Sequence, residues 1–149
     1  MTKVLLVDDE RYMIEMLKEI IDWEFYGFSI VGTAENARDG MNLFYREQPD
    51  IIITDICMDQ ISGIEFITRI RLINASVKIM ILSAYDKFEY AQKAVKLDVD
   101  GYLLKPVSRD ELLSSLLELQ KKLESGSQYQ EQIRDLKHSL DSLQRKYVE

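Results

Sequence analysis

The sequence predicts an α/β fold with helices on both faces of a parallel sheet. Five short runs rich in Val and Ile alternate with stretches of helical spacing, the pattern of repeated βα units. The central runs are continuously apolar rather than alternating, as strands covered on both faces are. Polar residues stand at the ends of four of the five runs, on the edge where an open parallel sheet binds its ligands.

Strand one is Val4–Val7, and "KVLLVDDE" carries it straight into Asp8, Asp9 and Glu10. Met13, Leu17, Ile20 and Ile21 share a face of the helix that follows. Strand two is Phe28–Gly32, and Ala37, Met41 and Phe44 mark the second helix. Strand three, Ile51–Thr54, ends in Asp55; Ile64, Ile67 and Ile70 give the third helix. Strand four, Lys78–Leu82, ends in Ser83. The fourth helix opens in capping-box form at Asp86-Lys87-Phe88-Glu89, with Phe88, Ala91 and Val95 as its inward face. Strand five, Tyr102–Leu104, ends in Lys105. Ser108 and Glu111 cap the fifth helix, whose face is Leu112, Leu113, Leu116 and Leu119.

The fifth helix is predicted to stop near Glu124, because Ser125-Gly126-Ser127 reads as a break. Residues 1–124 are therefore expected to form one domain, and residues 125–149 a helical, coiled-coil-like linker. In the linker Tyr129, Ile133, Leu136, Leu140, Leu143 and Tyr147 recur at intervals of 4, 3, 4, 3 and 4, a heptad seam of about two and a half repeats. The seam of the preceding helix, Leu116, Leu119 and Leu123, would continue onto Gly126 and Gln130, so the register slips there. With Ile133, Leu140 and Tyr147 at a, and Tyr129, Leu136 and Leu143 at d, the first full heptad favours a parallel dimer. An isolated helix of this length is marginal in water. The stripe either pairs with a second copy through residues 128–148 or folds back on its own domain.

The chain has 149 residues, 46% of them apolar, and a formal net charge of −7. That balance argues against broad binding to nucleic acid. Residues 125–149 hold four acids and four bases, so the negative charge belongs to residues 1–124. A single cysteine, Cys57, forms no intrachain disulfide, and a reducing cytoplasmic setting is expected. No apolar run approaches the ~18 residues of a membrane span. His138 has no second histidine and no nearby cysteine, and reads as a surface residue rather than a metal ligand.

The strand ends carry the chemistry. Asp8, Asp9, Asp55, Ser83 and Lys105 come from four strands and would meet on one edge. Singly, each has a bland explanation: an Asp after a strand is usually a helix cap, a Ser a turn residue, a Lys before Pro a solvated charge. Asp9 could cap the first helix and still take part. Their coincidence at four strand ends is not bland. Three carboxylates held together repel one another, and a hard divalent cation such as Mg²⁺ removes that penalty. A carboxylate can attack phosphorus to give an aspartyl phosphate. The transferring group then needs counter-charge, which a lysine and a hydroxyl supply.

"VLLVDDE", "DIIITDICM" with Gly63 downstream, "ILSA" and "GYLLKPV" together resemble, in order and spacing over residues 2–124, the receiver domain of two-component response regulators. The resemblance implies a flavodoxin-like, doubly wound five-stranded parallel sheet of order 2-1-3-4-5, followed by a C-terminal helical extension. It implies that Asp55 is the phosphoacceptor, with Mg²⁺ held by Asp8, Asp9, Asp55 and the backbone carbonyl of Cys57. Ser83 would be the switch hydroxyl, Tyr102 the switch aromatic, and Lys105 the partner of the phosphoryl group. The Lys105-Pro106 bond would be cis. The phosphoryl donor would be a sensor histidine kinase, and the only chemistry would be self-catalysed transfer and loss at Asp55. One departure is Asp59 after Met58, where the family commonly has Pro; it bears on loop rigidity and metal affinity.

"IDWEFYGFSIVGTAEN" and "SAYDKFEYAQKAVKLDVDGYLLKPV" are similar to the YesN-like subfamily, whose receivers are joined through a helical linker to an AraC-type helix-turn-helix domain. These 149 residues contain no such domain, and DNA would be reached only through one outside this chain. Two other functions compete. A Mg²⁺-dependent phosphohydrolase with an aspartyl nucleophile usually has a second acid two residues on, and here that position is Cys57. A degenerate receiver acting as a docking module would not need all five site residues.

Overall fold

A strand that is apolar on both faces must be covered on both, and this chain does so by following every strand with a helix. The computed structural model describes residues 1–56, 58, 62–84 and 88–148, with side chains in the last stretch at 92–125, 136, 139 and 140. The elements are β1 (Thr2–Val7), α1 (Arg11–Ile20), β2 (Phe28–Ala34), α2 (Ala37–Glu47), β3 (Ile51–Thr54), α3 (Gly63–Ile73), β4 (Lys78–Ser83), α4 (Phe88–Lys96), β5 (Gly101–Leu104) and α5 (Arg109–Val148). All five strands are parallel, in the order β2-β1-β3-β4-β5. That is the flavodoxin-like order. The chain winds to one side of β1 and then to the other, so a crevice opens between the carboxyl ends of β1 and β3. The fully buried β3 and nearly fully buried β4 account for the continuous apolar runs.

The helices dock by the faces their spacing predicts, with one exception. Met13 and Leu17 of α1, Ala37 and Phe44 of α2, and Ile67 and Ile70 of α3 are buried. In α4, by contrast, Ala94 is buried and Val95 is 77% exposed. Val95 is thus not part of the inward face, and the small Ala94 beside it is the residue that joins the core. Phe88 and Ala91, and the capping box at Asp86, lie outside the described side chains.

Caps set the helix starts. Asn36 accepts from the Asp39 amide at 2.8 Å, and Ser62 and Ser108 accept from the amides of Glu65 and Glu111 at 3.2 Å. Asp9 is not a cap: the N-cap of α1 is Glu10, whose own amide bonds to Asp8. Below the sheet, Trp23 donates to the Leu17 carbonyl at 2.9 Å and meets Phe28 edge-on at 6.2 Å, closing the α1–β2 turn.

Two compact units divide the chain, Met1–Ser115 and Leu116–Glu149. The first holds the whole sheet. The second is helical, and α5 passes through Ser125, Gly126 and Ser127 without interruption. The predicted break is not there. Glycine costs only about 1 kcal/mol in a helix interior, and Leu, Glu, Lys and Gln before and after it sustain propagation.

Phe66 lies wholly buried on α3. Phe66→Ala removes an aromatic ring from a close-packed core and is expected to cost about 3–5 kcal/mol, read as a lower denaturation midpoint with an unchanged slope.

Candidate functional site

The backbone ladder sets the site before any side chain does. Val7 pairs with Thr54, so the next residues, Asp8 and Asp55, emerge side by side from β1 and β3. Main-chain bonds continue past the strand ends: Asp8 donates to Ala34, Asp55 to Val7, and Lys105 to the Ser83 carbonyl, at 2.8–3.0 Å. Three main-chain bonds thereby fix two acids and a base on one edge.

The side chains converge. One carboxylate oxygen each from Asp8, Asp9 and Asp55 lies within 4.8 Å of the others. Asp8 is 3% exposed and Asp55 7%. The Lys105 ammonium is 2.8 Å from Asp8, 3.3 Å from Asp55 and 4.0 Å from Glu10. Burial works against its charge, but the Asp8 bond and the Asp55 and Asp8 charges outweigh burial and raise its pKa. Lys105-Pro106 is cis. Ser83 ends β4 and is fully buried; Tyr102, in β5, is half-buried against the core cluster. Cys57, Asp59 and Tyr85 lie outside the described residues.

A cavity of about 480 Å³ opens over these groups. Its lining combines the charged Asp9, Asp55 and Lys105 with Tyr12, Met16 and Pro106. Two neighbours escaped the sequence reading. Glu10 reaches towards Lys105, and its carboxylate accepts a hydrogen bond from the Tyr12 hydroxyl, which raises that hydroxyl's pKa. Glu10 was visible as a third acid in "VDDE", but nothing in the sequence paired it with Tyr12.

The end of β3 is held from behind. The Gly63 amide donates to the Ile56 carbonyl at 2.9 Å. A Cβ at Gly63 would overlap the Asp55 carbonyl oxygen and the Ile56 backbone. Only glycine lets α3 start this close to the strand end.

Residues 4–117 match the family described as response regulator receiver domain. The chain belongs to that family. This receiver is 37% identical over 143 residues to a transcriptional regulatory protein of Bacillus subtilis, YesN, covering 96% of this chain and 39% of that protein. It is 40% identical over 112 residues to the transcriptional regulatory protein HptR of Staphylococcus aureus, covering 75% and 44%. The receiver thus spans less than half the length of these relatives. It is also similar to the solved receiver domain of AraT, a response regulator from Geobacillus stearothermophilus. That match has a TM-score of 0.79 and 32% identity, covering 85% of this chain and 98% of that one. These relatives agree with a YesN-like receiver. Receivers are signalling modules, and they bind Mg²⁺ at an acidic pocket such as Asp8, Asp9 and Asp55 form here.

The raised pKa of Lys105 has a defined signature. Stability from its pairing is fully present below the ordinary value of 10.5 and is lost as pH rises through the higher folded value. In chelator, the parent should lose stability relative to Lys105→Met in that alkaline window. At neutral pH Lys105→Met should be the less stable, because Asp8 and Asp55 lose their counter-charge. Thermal melts of the two across pH 7–12 check both signs.

Proposed function

We propose that this receiver takes a phosphoryl group from a sensor histidine kinase onto Asp55 and controls transcription through a DNA-binding domain outside this chain. One observation carries the reading: three carboxylates meet at the β1/β3 crevice with a half-buried lysine bonded to two of them. Asp8, Asp9, Asp55 and the Cys57 carbonyl would hold Mg²⁺. When bound, Mg²⁺ supplies charge that offsets both the clustered carboxylates and the phosphoryl oxygens.

An Asp55 carboxylate oxygen attacks phosphorus. The bond from phosphorus to the donor's imidazole nitrogen breaks, and its electron pair stays on that nitrogen. Lys105 passes from Asp8 towards the new phosphoryl oxygens. Ser83 turns its hydroxyl to the same group, and Tyr102 moves inward behind it, biasing a two-state surface formed by α4, β5 and α5. Loss of the phosphoryl group is hydrolysis at the same carboxylate. No exogenous substrate is turned over. Descent from transcriptional regulators and the single cysteine support a cytoplasmic setting.

Incubated with Mg²⁺ and a small acyl phosphate, the intact protein should gain the mass of one phosphoryl group. Asp55→Asn, or chelator, should abolish the gain. Equal labelling of Asp55→Asn would overturn the acceptor assignment; labelling in chelator would overturn the metal's role. Turnover of a phosphomonoester would favour the phosphohydrolase instead.

The unit Leu116–Glu149 supports self-association through residues 128–148. Leu136 and Leu140, a d and an a position of the heptad seam, are 64% and 63% exposed, an apolar stripe that a second copy would cover. Sedimentation should show weak, concentration-dependent dimers, stronger after phosphorylation, and monomers for Leu136→Lys/Leu140→Lys. Identical sedimentation of both proteins would remove the stripe from the interface.

A further inference from the structure

We propose that α3 is a strut that couples the acceptor loop to the α4–β5 connection at the opposite edge of the sheet, with Arg71 as its far grip. The inference deepens the phosphoacceptor reading and rests on it for one of its two tests.

At its near end, α3 begins at Gly63, seated on the Asp55 carbonyl and the Ile56 backbone with no room for a Cβ. Any shift of the Asp55–Ile56 backbone must therefore move α3 or compress it. At its far end stands Arg71, with a side chain only 13% exposed. Its guanidinium donates to the carbonyls of Leu97 at 3.0 Å, Asp98 at 2.9 Å and Ala75 at 3.3 Å, and to that of Val77. It also meets the Asp100 carboxylate at 3.5 Å. The same carboxylate accepts from the Ile79 amide at 2.9 Å and lies 3.8 Å from the Lys78 ammonium.

One side chain thus joins α3 to the turn before β4, to the end of α4 and to the start of β5. The planar five-donor fork is what allows it; a lysine has the charge but not the geometry. The turn it grips is tightly wound. Leu97, Asp98 and Val99 donate back into α4, Asp100 donates to the Ile79 carbonyl, and Asp98 sits at φ 56°. Those amides are closed in the resting fold, so their exchange with solvent reports how firmly the turn is held.

The route is separate from the one through Ser83 and Tyr102, because it leaves the acceptor by its main chain. Arg71 is a positioning residue: it touches no reacting atom. A merely structural Arg71 would also loosen the turn when removed, so the decisive quantity is non-additivity between the two ends of α3.

Amide exchange at Leu97, Asp98 and Asp100 would be measured in the parent and in Arg71→Met. Two perturbations would be applied at the near end: Gly63→Ala, and phosphorylation by a small acyl phosphate with Mg²⁺, verified by intact mass. In the parent each should change exchange at the turn by about twofold or more, the low end of couplings carried through packed elements. In Arg71→Met, and in Arg71→Lys, the same perturbations should leave the turn's raised exchange unchanged, while Arg71→Met still accepts the phosphoryl group. Equal responses in both backgrounds, or none in the parent, would overturn the strut. Absence of the phosphoryl mass would overturn the acceptor assignment instead, and Gly63→Ala would still decide the strut. If Gly63→Ala does not fold, the phosphorylation arm decides it.

Discussion

Everything at the carboxyl edge of this sheet depends on one ammonium group among buried carboxylates. Asp8 and Asp55 are nearly inaccessible and come from adjacent strands whose register leaves them no choice of neighbour. Carboxylates so placed repel one another. Lys105, arriving from β5, lies against both. The arrangement is a compromise, since breaking such a pair leaves buried charge uncompensated whereas making it adds little net stability. A site maintained at that cost is better explained by what it binds than by what it stabilises.

The scaffold is rigid where the chemistry needs position. Asp8, Asp55 and Lys105 are each fixed by main-chain bonds that extend the sheet beyond its assigned strands. Gly63 adds a constraint from the opposite side by bringing a helix start onto the Asp55 carbonyl. For the nucleophile proposed here such fixing is a gain, because the entropy of alignment is spent in folding rather than in reaction. A shift of the Asp55 backbone would then be passed on, as the strut proposal requires, because a closely packed backbone has few places to absorb it.

Much of this was legible in the sequence, for identifiable reasons. β3 is buried on both faces and β4 nearly so, so their apolar runs had no alternation to confuse. Asp8, Asp55 and Lys105 each follow a strand directly, Asp9 comes one residue later and Ser83 ends β4, and parallel topology alone puts strand ends together. The cap at Ser108 was legible because its hydrogen bond is local. What failed was rotation and termination. Val95 of α4 was misjudged because it is the more apolar residue, whereas the small Ala94 beside it is the one buried in the core. The break at Gly126 was misjudged because a local breaker signal competes with propagation from both sides, and propagation won.

Arg71 shows a different limit. In sequence it is one of two bases within "FITRIRLI". Its acceptors are main-chain carbonyls up to 27 residues away, and a carbonyl carries no side-chain signature by which a sequence could announce it. The acidic site is the opposite case: every participant is a chemically distinctive side chain at a topologically fixed place. Sequence reading therefore favours sites built from side chains and overlooks joints built on the backbone. In this receiver the chemistry sits at one edge of the sheet and such a joint at the other, with a single helix spanning the two.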